Sequence, residues 1–324
     1  MERSPLAFVR YAWFTLAYNV LVILWGVFLR ASKSGDGCGQ HWLTCNGEVI
    51  PSAPELKAVI EYSHRMMSAI DGVVVLALFV WAFVLWRRSR TEQSRSTFLL
   101  TAGGMFFVIT EALVGAGLVL TGNTAENLTA ARPFWMAGHL INTFILLGFL
   151  ALAARRAAGG SRLSFGIGTK PLLMLGLCLL GILVVGTSGS VAALANMLFP
   201  SKSLLGGLEQ DLSSDSNILV LLRPLHPLIS IGTIIFLIFA ADWFKRTFPS
   251  DREITRWAKM LSWLAIVQFF FGALTLLTHM PILMQIGHLL LADLIWISFV
   301  ILAANTLSPQ TVTLKSATRV LEAT

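Results

Sequence analysis

The chain has 324 residues, of which 56% are hydrophobic and 13% charged, with a formal net charge of +7 and a mean hydropathy of +0.74. A soluble domain carries roughly a quarter charged residues, so a soluble fold is excluded. The basic residues are too dispersed to build a nucleic-acid surface, which removes nucleic acid as a partner.

The first apolar run, from about Ala12 to Leu29, lacks a small-residue cleavage site. It therefore reads as a first membrane helix and not as a signal peptide. Apolar patterning predicts helices over 10–30, 62–86, 97–121, 134–154, 171–196, 219–243, 257–278 and 282–306, each near or above the roughly 20 residues that cross a bilayer. The expected fold is all-α: a polytopic membrane protein of eight transmembrane helices. Most of the 24 Lys and Arg fall on alternate connections. They are Arg3 and Arg10; Arg87, Arg88, Arg90 and Arg95; Arg155, Arg156, Arg162 and Lys170; Lys245, Arg246, Arg252, Arg256 and Lys259; and Lys315 and Arg319 in the tail. The positive-inside rule places both termini on the cytoplasmic side of a bacterial cytoplasmic (inner) membrane. The loops 31–61, 122–133, 197–218 and a tight turn at His279–Pro281 then face outward.

The second four helices echo the first. Glu111 precedes Gly115-Ala116 in helix three, as Gln268 precedes Gly272-Ala273 in helix seven. Gly26 and Gly186 stand at the ends of helices one and five, each before a long outer loop. The expected plan is two pseudo-symmetric four-helix bundles, residues 1–160 and 161–324, related by an axis along the membrane normal.

Of six histidines, His41 lies in an outer loop and His279 at a helix end. The other four, His64, His139, His226 and His288, fall inside even-numbered helices, where an ionisable side chain is costly and marks function. All four enter from the outer face, at roughly 3–12 Å depth by the 1.5 Å rise per residue. His64 can face His139, and His226 can face His288. Neutral imidazole is a good iron ligand, and facing helices of a bundle are a usual cofactor seat. Two hemes, one per half, fit this layout better than four separate hydrogen bonds, and better than zinc, which has no acidic or Cys cluster here. Glu61 lies three residues before His64 and so shares its helix face; pairing with Arg65 or Lys57 is the alternative. Asp71 returns to the same face. For Glu111 and Asp293, a packing or hydrogen-bonding role is expected. In the first outer loop Cys38 and Cys45 stand seven apart on the oxidising side, where they can close a disulfide or remain two thiols. Cys178 inside helix five reads as a packing residue.

At these residues the chain resembles the heme A synthase family. The run Gly35-x-Gly37-Cys38-x-x-x-Trp42-x-x-Cys45-x-Gly47 is similar to the family's first outer loop, with one extra residue between Cys38 and Trp42. Glu61-Tyr-Ser-His64-Arg65 looks like its Glu-x-x-His-Arg motif. The likeness extends over residues 10–306, the C-terminal half being matched mainly by layout. It implies conversion of heme O to heme A for cytochrome oxidase, a ring methyl being oxidised to a formyl group by oxygen-dependent hydroxylations. Carried across, His64 and His139 flank the substrate heme, and Glu61 is the acid at its reacting edge. His226 and His288 ligate the iron of a b-type heme, Arg223 supplies a propionate contact, and Cys38 with Cys45 forms a disulfide. Implied partners are heme O synthase, cytochrome oxidase assembly factors, an external electron donor and a second copy in a homo-oligomer. The chain departs from the family in three ways: 197–218 has no cysteine pair, Pro227 follows His226 in place of Arg, and Glu111 replaces Gln. The competing readings are a non-catalytic b-type cytochrome or heme carrier, and a secondary transporter, against which the parallel repeats argue.

Overall fold

A computed structural model describes residues 4–125 and 127–308. Arg3, Lys315 and Arg319, counted above toward the inner side, lie outside the described residues. The helices are α1 (Leu6–Ala31), α2 (Leu56–Ser89), α3 (Glu92–Leu120), α4 (Arg132–Ala157), α5 (Thr169–Leu198), α6 (Leu204–Leu212), α7 (Ile218–Leu222), α8 (Leu225–Thr247), α9 (Arg252–Leu277) and α10 (Ile282–Thr306). Eight spans are long and apolar enough to cross a membrane, α7 and α8 together forming the sixth. The all-α polytopic architecture stands.

Local sequence fixes several helix ends. Thr91 accepts from the Ser94 N–H to start α3, and Asp251 accepts from the N–H groups of Glu253 and Ile254 to start α9. Each satisfies donors that the first helical turn leaves open. Arg90, at φ 50°, closes α2 in the left-handed region. The basic residues Arg87 and Arg88, Arg155 and Arg156, and Lys245 and Arg246 occupy the last turns of α2, α4 and α8, where they also complement the helix dipole.

The structure differs from the sequence reading in three places. The sixth span is not one helix: Pro224 cannot donate to the ladder that α7 begins, so the chain breaks at Arg223–Pro224 and restarts as α8. The outer segment expected as loop over 197–218 contains α6, capped where Ser203 accepts from the Gly206 N–H at 3.0 Å. Gly26 and Gly186 do not end their helices, since α1 runs on to Ala31 and α5 to Leu198.

Helix neighbours form two closed rings. In one, α1, α2, α3 and α4 pack in order and α4 returns to α1; in the other, α5, α8, α9 and α10 do the same and α10 returns to α5. Within each ring the histidine-bearing helices, α2 with α4 and α8 with α10, stand across from each other. The rings meet where α4 packs on α5 and α10, and α1 on α10. There the Trp296 indole N–H donates to the Phe144 carbonyl at 2.7 Å, and the two rings stack with centroids 5.0 Å apart. Nearer the basic end, Arg155 donates to Asn305 and Ser308, each at 2.8 Å.

Candidate functional site

Each of the four span histidines is the seventh to ninth residue of its span, counted from Leu56, Arg132, Ile218 and Ile282. At 1.5 Å per residue that is a depth of roughly 9–12 Å, from the end opposite the basic last turns of α2, α4 and α8. The break at Pro224 makes His226 a first-turn residue of α8, yet its depth in the whole span matches the others.

Glycines receive three of these rings. A Cβ on Gly26 of α1 would come within 3.1 Å of His64 Cε1, one on Gly189 of α5 within 2.9 Å of His226 Cε1, and one on Gly272 of α9 within 3.1 Å of His288 Cε1. A side chain at Gly189 would require the ring to shift, and one at Gly26 or Gly272 would crowd it. Gly186, singled out in the sequence as the partner of Gly26, instead meets Leu140 and Phe144 between the rings. Gly189 is the glycine that faces the histidine.

In the ring of α5, α8, α9 and α10, the His226 and His288 rings are brought together, with centroids 6.3 Å apart and planes at 83°. Two imidazoles bonded to opposite sides of one metal ion need roughly 2 Å per metal–nitrogen bond plus about 1 Å from nitrogen to ring centre on each side, or about 6 Å in all. His226 Nδ1 lies 3.2 Å from the Ser188 hydroxyl and 3.5 Å from that of Ser230. Gln268 Nε2 lies 3.3 Å from His288 Nε2 and donates to the His288 carbonyl at 3.2 Å. Buried polar groups ordinarily have partners, yet His64 Nδ1 and His288 Nδ1 have none among the described residues.

In the ring of α1–α4, His64 and His139 stand on the facing helices α2 and α4. His139 Nδ1 lies 2.9 Å from Glu111 Oε1, although its N–H is not aligned for a hydrogen bond. Asn142 Nδ2 donates to Glu111 Oε2 at 2.5 Å, and the Thr143 hydroxyl also reaches Glu111 Oε1. A groove of about 360 Å³ beside His139 is lined by Val114, Phe134, Trp135, Gly138 and Asn142.

Glu61 is buried beneath the first outer loop. Its Oε2 accepts from the Cys38 N–H at 2.8 Å, and its Oε1 pairs with Arg65. Arg65 also donates to the carbonyls of Trp42 and Thr44 at 3.0 Å each, and to that of His41. Lys57 pairs instead with Asp36, at 3.8 Å. Cys38 and Cys45 are joined by a disulfide. His41 and His279 stand apart from the four span histidines; His41 contributes its carbonyl to Arg65, and His279 occupies the turn at φ 58°.

Arg223 is committed elsewhere than a free anion. It donates through Nε to Asp211 at 2.8 Å, through Nη1 to Asn196 at 2.9 Å and through Nη2 to the Gly207 carbonyl at 3.0 Å, tying α6 to the break in the sixth span. Asp71 accepts from Asn19 at 2.8 Å. Both carboxylate oxygens of the buried Asp293 are without a partner among the described residues, where hydrogen bonding was expected. The supporting residues Asn142, Thr143, Ser188, Ser230 and Asn19 carried no signal of their own in the sequence.

Known proteins share this sequence over nearly its full length. A protein from Thermus thermophilus named protoheme IX farnesyltransferase is 43% identical over 298 residues, which is 92% of this chain and 48% of that protein. The chain thus spans about half the length of this relative. A heme A synthase from Alkalihalophilus pseudofirmus is 26% identical over 283 residues, 86% of this chain and 90% of the relative. One from Halalkalibacterium halodurans is 36% identical over 132 residues, 41% of this chain and 42% of the relative. Residues 9–300 match the COX15-CtaA family, described as cytochrome oxidase assembly protein, and the chain belongs to that family.

Proposed function

We propose that the chain is a heme A synthase: it binds heme O in the ring of α1–α4 and oxidises one ring methyl to a formyl group, giving heme A. The observation that carries this reading is the pairing of histidines at matched depth on facing helices, with the 6.3 Å separation of His226 and His288 as its sharpest expression. The unpartnered Nδ1 atoms of His64 and His288, and the glycines under three of the rings, fit histidines that serve a bound group better than histidines that serve packing.

On this reading residues 1–160 form the substrate half and residues 161–324 the half that holds a b-type heme between His226 and His288. The iron, when bound, supplies the oxygen and electron chemistry. The protein's part is to hold, orient and shield. His64 and His139 present imidazoles from opposite sides of the first ring. Glu61, fixed by Cys38 and Arg65, sets a carboxylate under the outer loop three residues from His64, within reach of the reacting edge through hydrogen bonding or proton movement. The groove along α4 between Val114 and Trp135 offers a lateral path for an apolar porphyrin substituent. Arg223 acts through α6, covering the outer side of the second ring, because each of its nitrogens already has a protein partner.

The basic turns of α2, α4 and α8 lie at the ends away from the histidines, which supports a chain in a bacterial cytoplasmic membrane with both termini inside. The name of the Thermus relative, protoheme IX farnesyltransferase, supports a farnesyltransferase as the partner that supplies heme O. An external electron donor and cytochrome oxidase assembly factors complete the proposed partners, and a second copy of this chain is a further one.

Chromatography of hemes extracted from protein made in cells that contain heme O tests this reading. Heme A or a hydroxylated heme O, lost on Glu61→Ala or His64→Ala, is the expected result. Heme B alone, unaltered by either substitution, would make the protein a cytochrome or carrier.

A further inference from the structure

The two rings differ in what stands behind their histidines. In the second, the neutral hydroxyls of Ser188 and Ser230 face His226 Nδ1, His288 Nδ1 has no partner among the described residues, and the Gln268 amide meets His288 at the other ring nitrogen, Nε2. In the first, the neighbour of His139 is a carboxylate, Glu111, with Oε1 at 2.9 Å from Nδ1. Glu111 and Gln268 occupy corresponding places, four residues before Gly115 and Gly272 on α3 and α9.

The surroundings of Glu111 are built for a group that only accepts. Asn142 turns its amide nitrogen to Glu111 Oε2 at 2.5 Å and to the Phe107 carbonyl at 3.0 Å. The orientation of that amide is set from its other end, where Asn142 Oδ1 accepts from the Thr110 hydroxyl at 2.7 Å. Thr143 presents its hydroxyl to Glu111 Oε1 or to the His139 carbonyl. Two donors, from Asn142 and Thr143, therefore reach the carboxylate oxygens, and His139 Nδ1 stands 2.9 Å from one of them. An amide at position 111 has one oxygen to offer, and its NH₂ would meet either the Asn142 NH₂ or the His139 N–H. With Nδ1–H toward the carboxylate, Nε2 lies on the far side of the imidazole and is left free as a ligand.

We propose that Glu111 is a positioning residue that assigns the two rings their different chemical roles. It fixes His139 with Nδ1 toward the carboxylate and Nε2 toward the bound heme, and it makes this imidazole the more electron-rich ligand. Partners of this kind set ring orientation and raise ligand basicity, and their loss typically costs about 10–100-fold in affinity or activity. The neutral surroundings of His226 and His288 leave the second site the more easily reduced of the two. The inference rests on the heme A synthase reading for the presence of two heme sites, but it concerns their relative potentials and not the product.

The test is spectroelectrochemical titration of the purified full-length protein loaded with heme B, comparing wild type, Glu111→Gln, Glu111→Asp and Ser188→Asp, the last placing a carboxylate at His226 Nδ1. The wild type is expected to show two transitions, the one lost on His139→Ala lying at the lower potential. Glu111→Gln raises that transition and leaves the other in place, Glu111→Asp holds it near the wild-type value, and heme retention in the first site falls about ten-fold with Gln. Ser188→Asp lowers the second transition, and it tests the same effect should Glu111→Gln fail to accumulate. Unmoved potentials in Glu111→Gln or in Ser188→Asp, or equal shifts of both transitions, overturn the assignment. A wild type with no heme transition that depends on His139 sinks the underlying two-site reading instead, and the two failures are told apart.

Discussion

The main-chain N–H of Cys38 donates to Glu61 Oε2 at 2.8 Å, so the disulfide-closed turn rests on the carboxylate that precedes His64 by three residues. Loop and helix are joined again by Arg65, which binds Glu61 and three loop carbonyls at once. The acid is thus held by the loop that covers it.

Arg65→Ala is expected to release that loop and strand Glu61. Removing one partner of a buried ion pair costs about 3–5 kcal/mol, and less here because the Arg65 side chain keeps 16% of its exposure. Thermal unfolding in detergent should show the loss, and limited proteolysis should cut within 39–50 sooner than in the wild type. Unchanged proteolysis would mean that the disulfide alone holds the loop.

Gly189→Val is expected to push His226 off its place, since even a Cβ would stand 2.9 Å from the ring. Heme bound between His226 and His288 should fall at least several-fold, read as heme per protein. Gly176→Val on the same helix, where a Cβ meets nothing within 4 Å, is the matched control and should retain its heme.

Asp293→Leu is expected to stabilise the protein. Burying a polar group without a hydrogen bond costs about 1–3 kcal/mol by mutational measures, and Asp293 is 1% exposed with both oxygens unpartnered. A raised melting temperature with unchanged heme content is the expected pair of readings. A lowered one would show that the carboxylate is used by the folded state.

Gly138→Leu is expected to fill the groove beside His139, because a Cβ there meets no atom within 4 Å and the side chain grows into open space. Conversion of heme O should fall while binding of heme B between His226 and His288 is unaffected. Equal conversion in variant and wild type would remove the groove from the substrate's path.

The spans and the four histidines were legible because they depend on residue type and local period alone. Apolar runs name themselves, and an imidazole inside one is conspicuous. What stayed hidden depends on which helix lies opposite. Gly186 and Gly189 are one turn apart and nearly share a face of α5; only the positions of α4 and α8 decide that the first meets Phe144 and the second His226. The break at Arg223 was written in Pro224, but hydropathy continues across it and favoured a single helix. At nine residues, with Gly206 and Gly207 inside it, α6 is too short to stand out among membrane spans, and Arg223 holds it from outside. The Glu111 network joins residues 31 or 32 apart in sequence, so Asn142 and Thr143 looked like ordinary polar residues of a membrane helix.

The glycines under His64, His226 and His288 leave the spacing of each helix pair and the placement of each imidazole as a single mechanical variable. With each ring so close that a Cβ on the facing glycine would crowd it, a slide or tilt of one helix against its neighbour moves the imidazole with it. On the proposed reading, lateral pressure in the bilayer, or the thickness of the lipid around the bundle, is then transmitted to the rings that hold the heme. Detergent and lipid composition should accordingly shift the heme spectrum of this protein before they alter its helix content.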